Sequence, residues 1–185
     1  MLHTPESVLM DRAAAAVAVE ATGAERAVAL VGRGNNGGDA LLCCALLAGR
    51  GAAVTAVLLA PDAHPRGLAA LTHAGGRVIE WDIDAAGALA HIADADLILD
   101  GILGLGGRGG LREAAQAAVS MITPGTRVIA VDLPSGLNPD SGEASAPHVT
   151  ADTTVTFTAP KLCLTLKPAA ASAGRVVIAD VGVNL

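Results

Sequence analysis

The chain has 185 residues, is 52% hydrophobic and carries a net charge of −6. No charge-free apolar run reaches the ~18 residues a membrane span needs, and the basic residues are scattered, which sets membranes and nucleic acids aside as expected partners. One domain, residues 1–185, is expected, burying roughly 70% of its unfolded surface. With Trp81 and Phe157 the only aromatic residues, Ala, Val, Leu and Ile must fill the core.

The opening MLHTPESVLMDR lacks the basic and apolar regions of a signal peptide, so a cytoplasmic protein is expected. Thr4-Pro5-Glu6 reads as a helix start, with the helix running from Pro5 to about Ala21 and Val8, Leu9, Ala16 and Val19 facing a sheet. Ala27 to Val31 is a strand, followed by the glycine-rich turn GRGNNGGD and a helix from Gly38 to Arg50. That helix holds Cys43 and Cys44, which together with the distant Cys163 lack metal or disulfide spacing and read as buried free thiols.

Ala52 to Leu59 forms a second strand, ended by Pro61-Asp62. A helix from Gly67 to Ala74 and a strand from Arg77 to Trp81 follow. Asp84 caps a helix to about Ile92, and the strand Leu97-Ile98-Leu99 delivers Asp100. A second glycine loop, Gly101 to Gly110, precedes a helix from Leu111 to Ile122. The strand Val128 to Val131 delivers Asp132, the loop LPSGLNPDSGE carries Ser135, and the strands Thr153 to Phe157 and Arg175 to Ala179 complete the sheet. Strand–helix alternation with continuously apolar strands implies an α/β, Rossmann-like three-layer sandwich: a mostly parallel sheet with helices on both faces.

In such a sheet, ligands bind at the carboxyl ends of the strands, where strand order reverses. Gly32, Gly34 and Gly37 fit G-x-G-x-x-G, a weak signal alone; Asn35-Asn36 before Gly37-Gly38-Asp39 is the unusual part. Asn36, Asp100, Asp132 and Ser135 are expected to converge at one rim. A helix N-terminus attracts anions. Asp39 places a carboxylate at the first helix start and Leu111 follows the second loop without one, so the second loop is expected to take more of any pyrophosphate. The amide of Asn36, the carboxylate of Asp100 and the hydroxyl of Ser135 form an oxygen set suited to a hard cation, monovalent rather than magnesium with only one carboxylate.

At these residues the chain resembles the NAD(P)HX epimerase family, the YjeF N-terminal-like domain. The matching segments are SVLMDRAAAAVA, GRGNNGGDA, DGILGLGGRG, VIAVDLPSGLNPDSGE, ADTTVTFTAPK and GRVVIADVG, in the family's order and over nearly the whole chain. The resemblance implies interconversion of the R and S forms of hydrated NADH and NADPH, so that a partner dehydratase can restore the cofactor. It implies substrate contacts from Asn35, Asn36, Gly37, Gly38 and Asp39, from Gly104, Leu105, Gly106, Gly107, Arg108, Gly109 and Gly110, and from Asp132. It also implies a potassium ion on Asn36, Asp100 and Ser135. Ala40 stands where the family usually has glycine, and the segment before the first helix is short.

The carbon that epimerises bears a hydroxyl beside the ring nitrogen, so the nitrogen can help expel it and leave a planar iminium that water re-enters from either face. One carboxyl can protonate the departing hydroxyl and deprotonate the returning water. Asp132 is the expected group, its proton affinity raised by burial and nearby negative charge, with Lys161 a weaker candidate that offsets charge or stays solvated. A non-catalytic scaffold of the same fold is the alternative, and an NAD-dependent oxidoreductase using Asp62 for ribose ranks last. The oligomeric state stays open, a homodimer included.

Overall fold

A computed structural model of the chain describes residues 4–107, 110–144 and 146–183. Its elements are α1 (Glu6–Glu20), β1 (Arg26–Val31), α2 (Gly34–Gly49), β2 (Ala53–Leu58), α3 (Pro65–His73), β3 (Arg77–Glu80) and α4 (Ala85–Ala93), then β4 (Leu97–Gly101), α5 (Glu113–Ser120), β5 (Arg127–Val131), β6 (Thr153–Phe157) and β7 (Arg175–Ala179). The seven strands form one sheet in the order β3-β2-β1-β4-β5-β6-β7, and every neighbouring pair is parallel. Strand order reverses between β1 and β4. There Val31 pairs with Gly101, and Asp100 with Ala130 on the far side, so β1, β4 and β5 end almost level.

Alternation along each strand sends side chains to two cores. Ala27, Ala29 and Val31 of β1 face the layer of α1, α2 and α3; Val28 and Leu30 face α4 and α5. A fully buried leucine such as Leu30 contributes ~1.5–3 kcal/mol by leaving water. The buried face of α1 is Met10, Ala13, Ala14, Val17 and Ala18, and Val19 is 65% exposed. Of the expected face, Ala16 packs against the core and Val8 and Leu9 are half-buried, while Val19 points outward. Alanines let α1 approach its neighbours closely, so side-chain size did not mark the inner stripe.

Thr4 does not cap α1; Pro5 holds the cap position without a side-chain hydrogen bond. Asp84 does cap α4, accepting from the Gly87 N–H at 2.8 Å. Between β6 and β7 lie two 3-10 turns, Leu162–Leu164 and Ala169–Ser172. They complete a third small core of Leu133, Leu137, Cys163, Leu164, Ala169 and Ala173. All three cysteines are buried free thiols, and burial pushes Cys43 up to about 12. No helix among the described residues is long and apolar enough to cross a membrane.

Candidate functional site

The largest structural departure from the sequence reading lies at the first glycine motif. α2 begins at Gly34, not Gly38, so Asn35, Asn36 and Asp39 stand on the helix itself. Gly and Asn are poor helix formers, and local propensity assigns them to a loop; tertiary packing overrides it. A Cβ on Gly37 would collide with the Gly32 carbonyl, and one on Gly38 would lie 2.6 Å from Met10 Cε and 2.7 Å from His64 Cγ. These two glycines serve close packing of α2 against β1, α1 and α3.

The start of α5 shifts the other way, to Glu113. The first turn of α2 therefore holds no acid, whereas that of α5 holds Glu113. This reverses the electrostatic reason for favouring the second loop: the anion-attracting helix end without a competing carboxylate is that of α2.

A cavity of about 1030 Å³ opens over the β1/β4 switch point. Asn35, Asn36 and Asp39 line one side; Gly104, Leu105, Gly106, Gly107 and Gly110 line another, with Asp132 and Phe157 also on its wall. Gly37 and Gly38 are not on this wall, and Arg108 and Gly109 lie outside the described residues. The Asn35 amide donates to Glu6 Oε1 at 2.6 Å, which ties α2 to α1. Asp62 is off the cavity, 3.6 Å from the Arg33 guanidinium in an exposed ion pair.

Asp39 and Asn36 are buried polar residues with atoms left over. Asp39 Oδ1 and Asn36 Nδ2 have no hydrogen-bond partner among the described residues, a situation that costs ~1–3 kcal/mol per group unless a ligand meets it. Burial pushes the Asp39 carboxyl up to about 7; the Asp132 carboxylate adds to the rise, the Arg66 guanidinium opposes it and Glu6 adds to it.

Asp100 and Ser135 form a fully buried pair behind the cavity wall. Asp100 Oδ1 accepts from Ser135 Oγ at 2.6 Å and from the Ile102 N–H at 3.3 Å, and its Oδ2 accepts from the Ser135 N–H at 2.7 Å. Ser135 Oγ in turn accepts from the Leu103 N–H at 2.8 Å, so this pair anchors the second glycine loop. Burial pushes Asp100 up to about 6 against those three hydrogen bonds. Asn36 packs on the same loop, with its side chain against Gly104.

Asp132 sits one residue beyond β5 in the left-handed region, φ +69°, a strained conformation that Asp tolerates better than most residues. Its N–H donates to the Val155 carbonyl at 2.8 Å, and its Oδ1 accepts from Thr156 Oγ1 at 3.1 Å and from Lys161 Nζ. Lys161 also donates to Thr156 Oγ1 at 2.8 Å and to the Phe157 carbonyl at 3.2 Å. Its side chain is only 12% exposed, so it is not a solvated lysine. Asp39 supplies the negative neighbour expected for Asp132, and an ammonium also lies directly against it. Thr156, which nothing in the sequence distinguishes from a strand-packing threonine, was missed.

Residues 6–163 match the family described as YjeF-related protein N-terminus. The bifunctional NAD(P)H-hydrate repair enzyme Nnr of Mycobacterium tuberculosis is 42% identical, the match covering 98% of this chain and 38% of that protein. NAD(P)H-hydrate epimerases of Microbacterium testaceum and Clavibacter michiganensis are 40% and 39% identical; each match covers 100% of this chain, and 71% and 89% of those proteins. The chain thus spans 38% of the length of the bifunctional relative. The crystal structure of yeast ynu0, YNL200c shares the fold, with a TM-score of 0.75 at 22% identity, covering 86% of this chain and 74% of that one. With the family matched over most of its length and relatives near 40% identity over all of it, the chain belongs to the YjeF N-terminal, NAD(P)H-hydrate epimerase family.

Proposed function

We propose that this chain interconverts the R and S forms of hydrated NADH and NADPH, the activity its epimerase relatives are named for. One observation carries the reading beyond the family name. A buried carboxylate, Asp132, is held at a strained backbone position on the wall of a cavity at the sheet's switch point. About 1030 Å³ is at the upper end of small-molecule sites, as a dinucleotide requires.

Asp132 Oδ1 is taken by Thr156 and Lys161, and no hydrogen bond engages Oδ2 among the described residues. Oδ2 is therefore the oxygen that gives a proton to the departing hydroxyl and takes one from the returning water. The ring-nitrogen lone pair forms the C=N bond as the C–O bond breaks, and the reverse step restores it. Asp39, with its raised proton affinity and unpartnered Oδ1, meets the polar part of the substrate on the opposite element.

Potassium is proposed on Asn36, Asp100 and Ser135. The donor set is one of oxygens: Asp100 is a fully buried carboxyl that no Lys, Arg or His partners among the described residues, and the Asn36 amide, packed beside Gly104 of the same loop, would offer its Oδ1. Among the described residues no cluster of three His, Cys, Asp or Glu is present, so a cation here would rest on amide, hydroxyl and backbone oxygens beside one carboxylate. Bound there, the ion would supply the positive charge that keeps Asp100 ionised. A dehydratase is the proposed functional partner, since the Nnr relatives are named as bifunctional repair enzymes.

The test is to add the protein to pure R-NADHX and follow the appearance of the S form. Equilibration well above the buffer rate is expected. No acceleration, with or without potassium chloride, would leave the scaffold reading standing instead.

A further inference from the structure

The Lys161 ammonium has three donors and three protein acceptors: Asp132 Oδ1, Thr156 Oγ1 and the Phe157 carbonyl. It is saturated. It also lies off the cavity wall and is largely shielded from solvent. That excludes Lys161 as a nucleophile or base and leaves it acting through its neighbours.

The surrounding chain is built to hold it there. Leu133 and Leu137, which follow Asp132, pack with Cys163 and Leu164, which follow Lys161, in the same small core. The Cys163 N–H donates to the Pro139 carbonyl at 3.3 Å, joining the two loops again. Thr158, between Thr156 and Lys161, takes φ +67°, the second non-glycine residue in the left-handed region after Asp132. The turn it makes brings Lys161 back over β6 toward the end of β5. Both ends of the ion pair are thus strained or anchored independently, and the pair joins them.

We propose that Lys161, with Thr156, is a positioning residue for the reaction. It captures Oδ1 of Asp132, fixes the rotation of the carboxylate and leaves Oδ2 as the one oxygen presented to the substrate. It also balances the charge of Asp132, which an anionic dinucleotide must approach. This rests on the proposed epimerase reading, with Asp132 as the acid–base group.

The experiment measures kcat, KM and the pH–rate profile for R-NADHX with the full chain and its Lys161→Met, Lys161→Arg and Thr156→Val variants. Lys161→Met should lower kcat about 100-fold, the scale of a misaligned catalytic group, with KM within about threefold. Its pH–rate profile should differ from that of the wild type, because the charge beside the acid–base carboxylate is gone. Lys161→Arg should recover part of kcat, and Thr156→Val, which removes one donor to a charged oxygen, should lose about tenfold. Should Lys161→Met not fold, Lys161→Arg and Thr156→Val decide the matter. A folded Lys161→Met or Thr156→Val variant with wild-type kcat and pH profile overturns the proposal, as does a loss confined to KM. If the wild-type chain itself does not epimerise, the functional reading has failed rather than this assignment.

Discussion

Two neighbouring parallel strands each deliver an aspartate, and the two ends have opposite characters. Asp100 lies inside β4, fully buried, its two oxygens accepting three hydrogen bonds from Ser135 and Ile102. Asp132 lies just past β5, turned by a positive φ onto the cavity wall, with one oxygen tied to Lys161 and Thr156. Two residues of register separate a carboxyl that organises loops from one that faces the substrate. Environment rather than residue type divides the work: neutral hydrogen bonds and burial at Asp100, an ammonium and a free oxygen at Asp132.

The sharpest way to break this contrast is to neutralise each aspartate in turn. Asp132→Asn should cut the epimerisation rate by about 10³-fold, within the range for a general acid–base group, while circular dichroism and the melting temperature stay near wild type. Asp100→Ala should do the reverse in kind, costing about 3 kcal/mol of stability by orphaning the buried Ser135 N–H and removing the shorter of the Ser135 hydroxyl's two acceptors, read by urea denaturation. If Asp100→Ala left stability unchanged, the pair would not be the anchor of the second glycine loop.

Asp39 gives a pH test of smaller size. Its carboxyl is raised to about 7 and that of Asp100 to about 6, from 3.8 for each. Between pH 4 and 7 the folded chain keeps protons that the unfolded chain has released, so stability is fully present below pH 4 and falls as pH rises through these values. Asp39→Asn should flatten that fall and melt higher than wild type at pH 8, the two converging near pH 4. A parallel pH dependence in wild type and variant would contradict the burial argument.

The smallest effect concerns the cation. Potassium chloride at about tenfold over its dissociation constant should stabilise the chain by about 1.4 kcal/mol relative to choline chloride, more at pH 8 than at pH 5, and Asp100→Asn should abolish the difference. Equal melting curves in the two salts would remove potassium from Asn36, Asp100 and Ser135.

The architecture was largely legible because its strands are continuous apolar runs. Thr153–Phe157 and Arg175–Ala179 stand where the sequence reading puts them, and the others differ by one or two residues. Helix starts were less so: α2 begins four residues early because Gly37 and Gly38 exist for contacts with Gly32, Met10 and His64 that no local pattern encodes. Asp132 and Asp100 were legible as strand-end acids beside glycine loops. Their different surroundings were not, since Lys161 reaches Asp132 across 29 positions and Ser135 reaches Asp100 across 35. The acid at Glu113 was visible in sequence, but its place in the first turn of α5 depended on where that helix begins.

The central chemical claim is that the hydroxyl leaves and water returns, with Asp132 moving the proton. Epimerising R-NADHX in ¹⁸O-labelled water and weighing the early product tests it directly. The account predicts one ¹⁸O in the S form from the first turnovers, at a rate equal to epimerisation and lost with it in Asp132→Asn. S product formed at the full rate with its original oxygen retained would mean that the C–N bond opens instead, and would contradict the account.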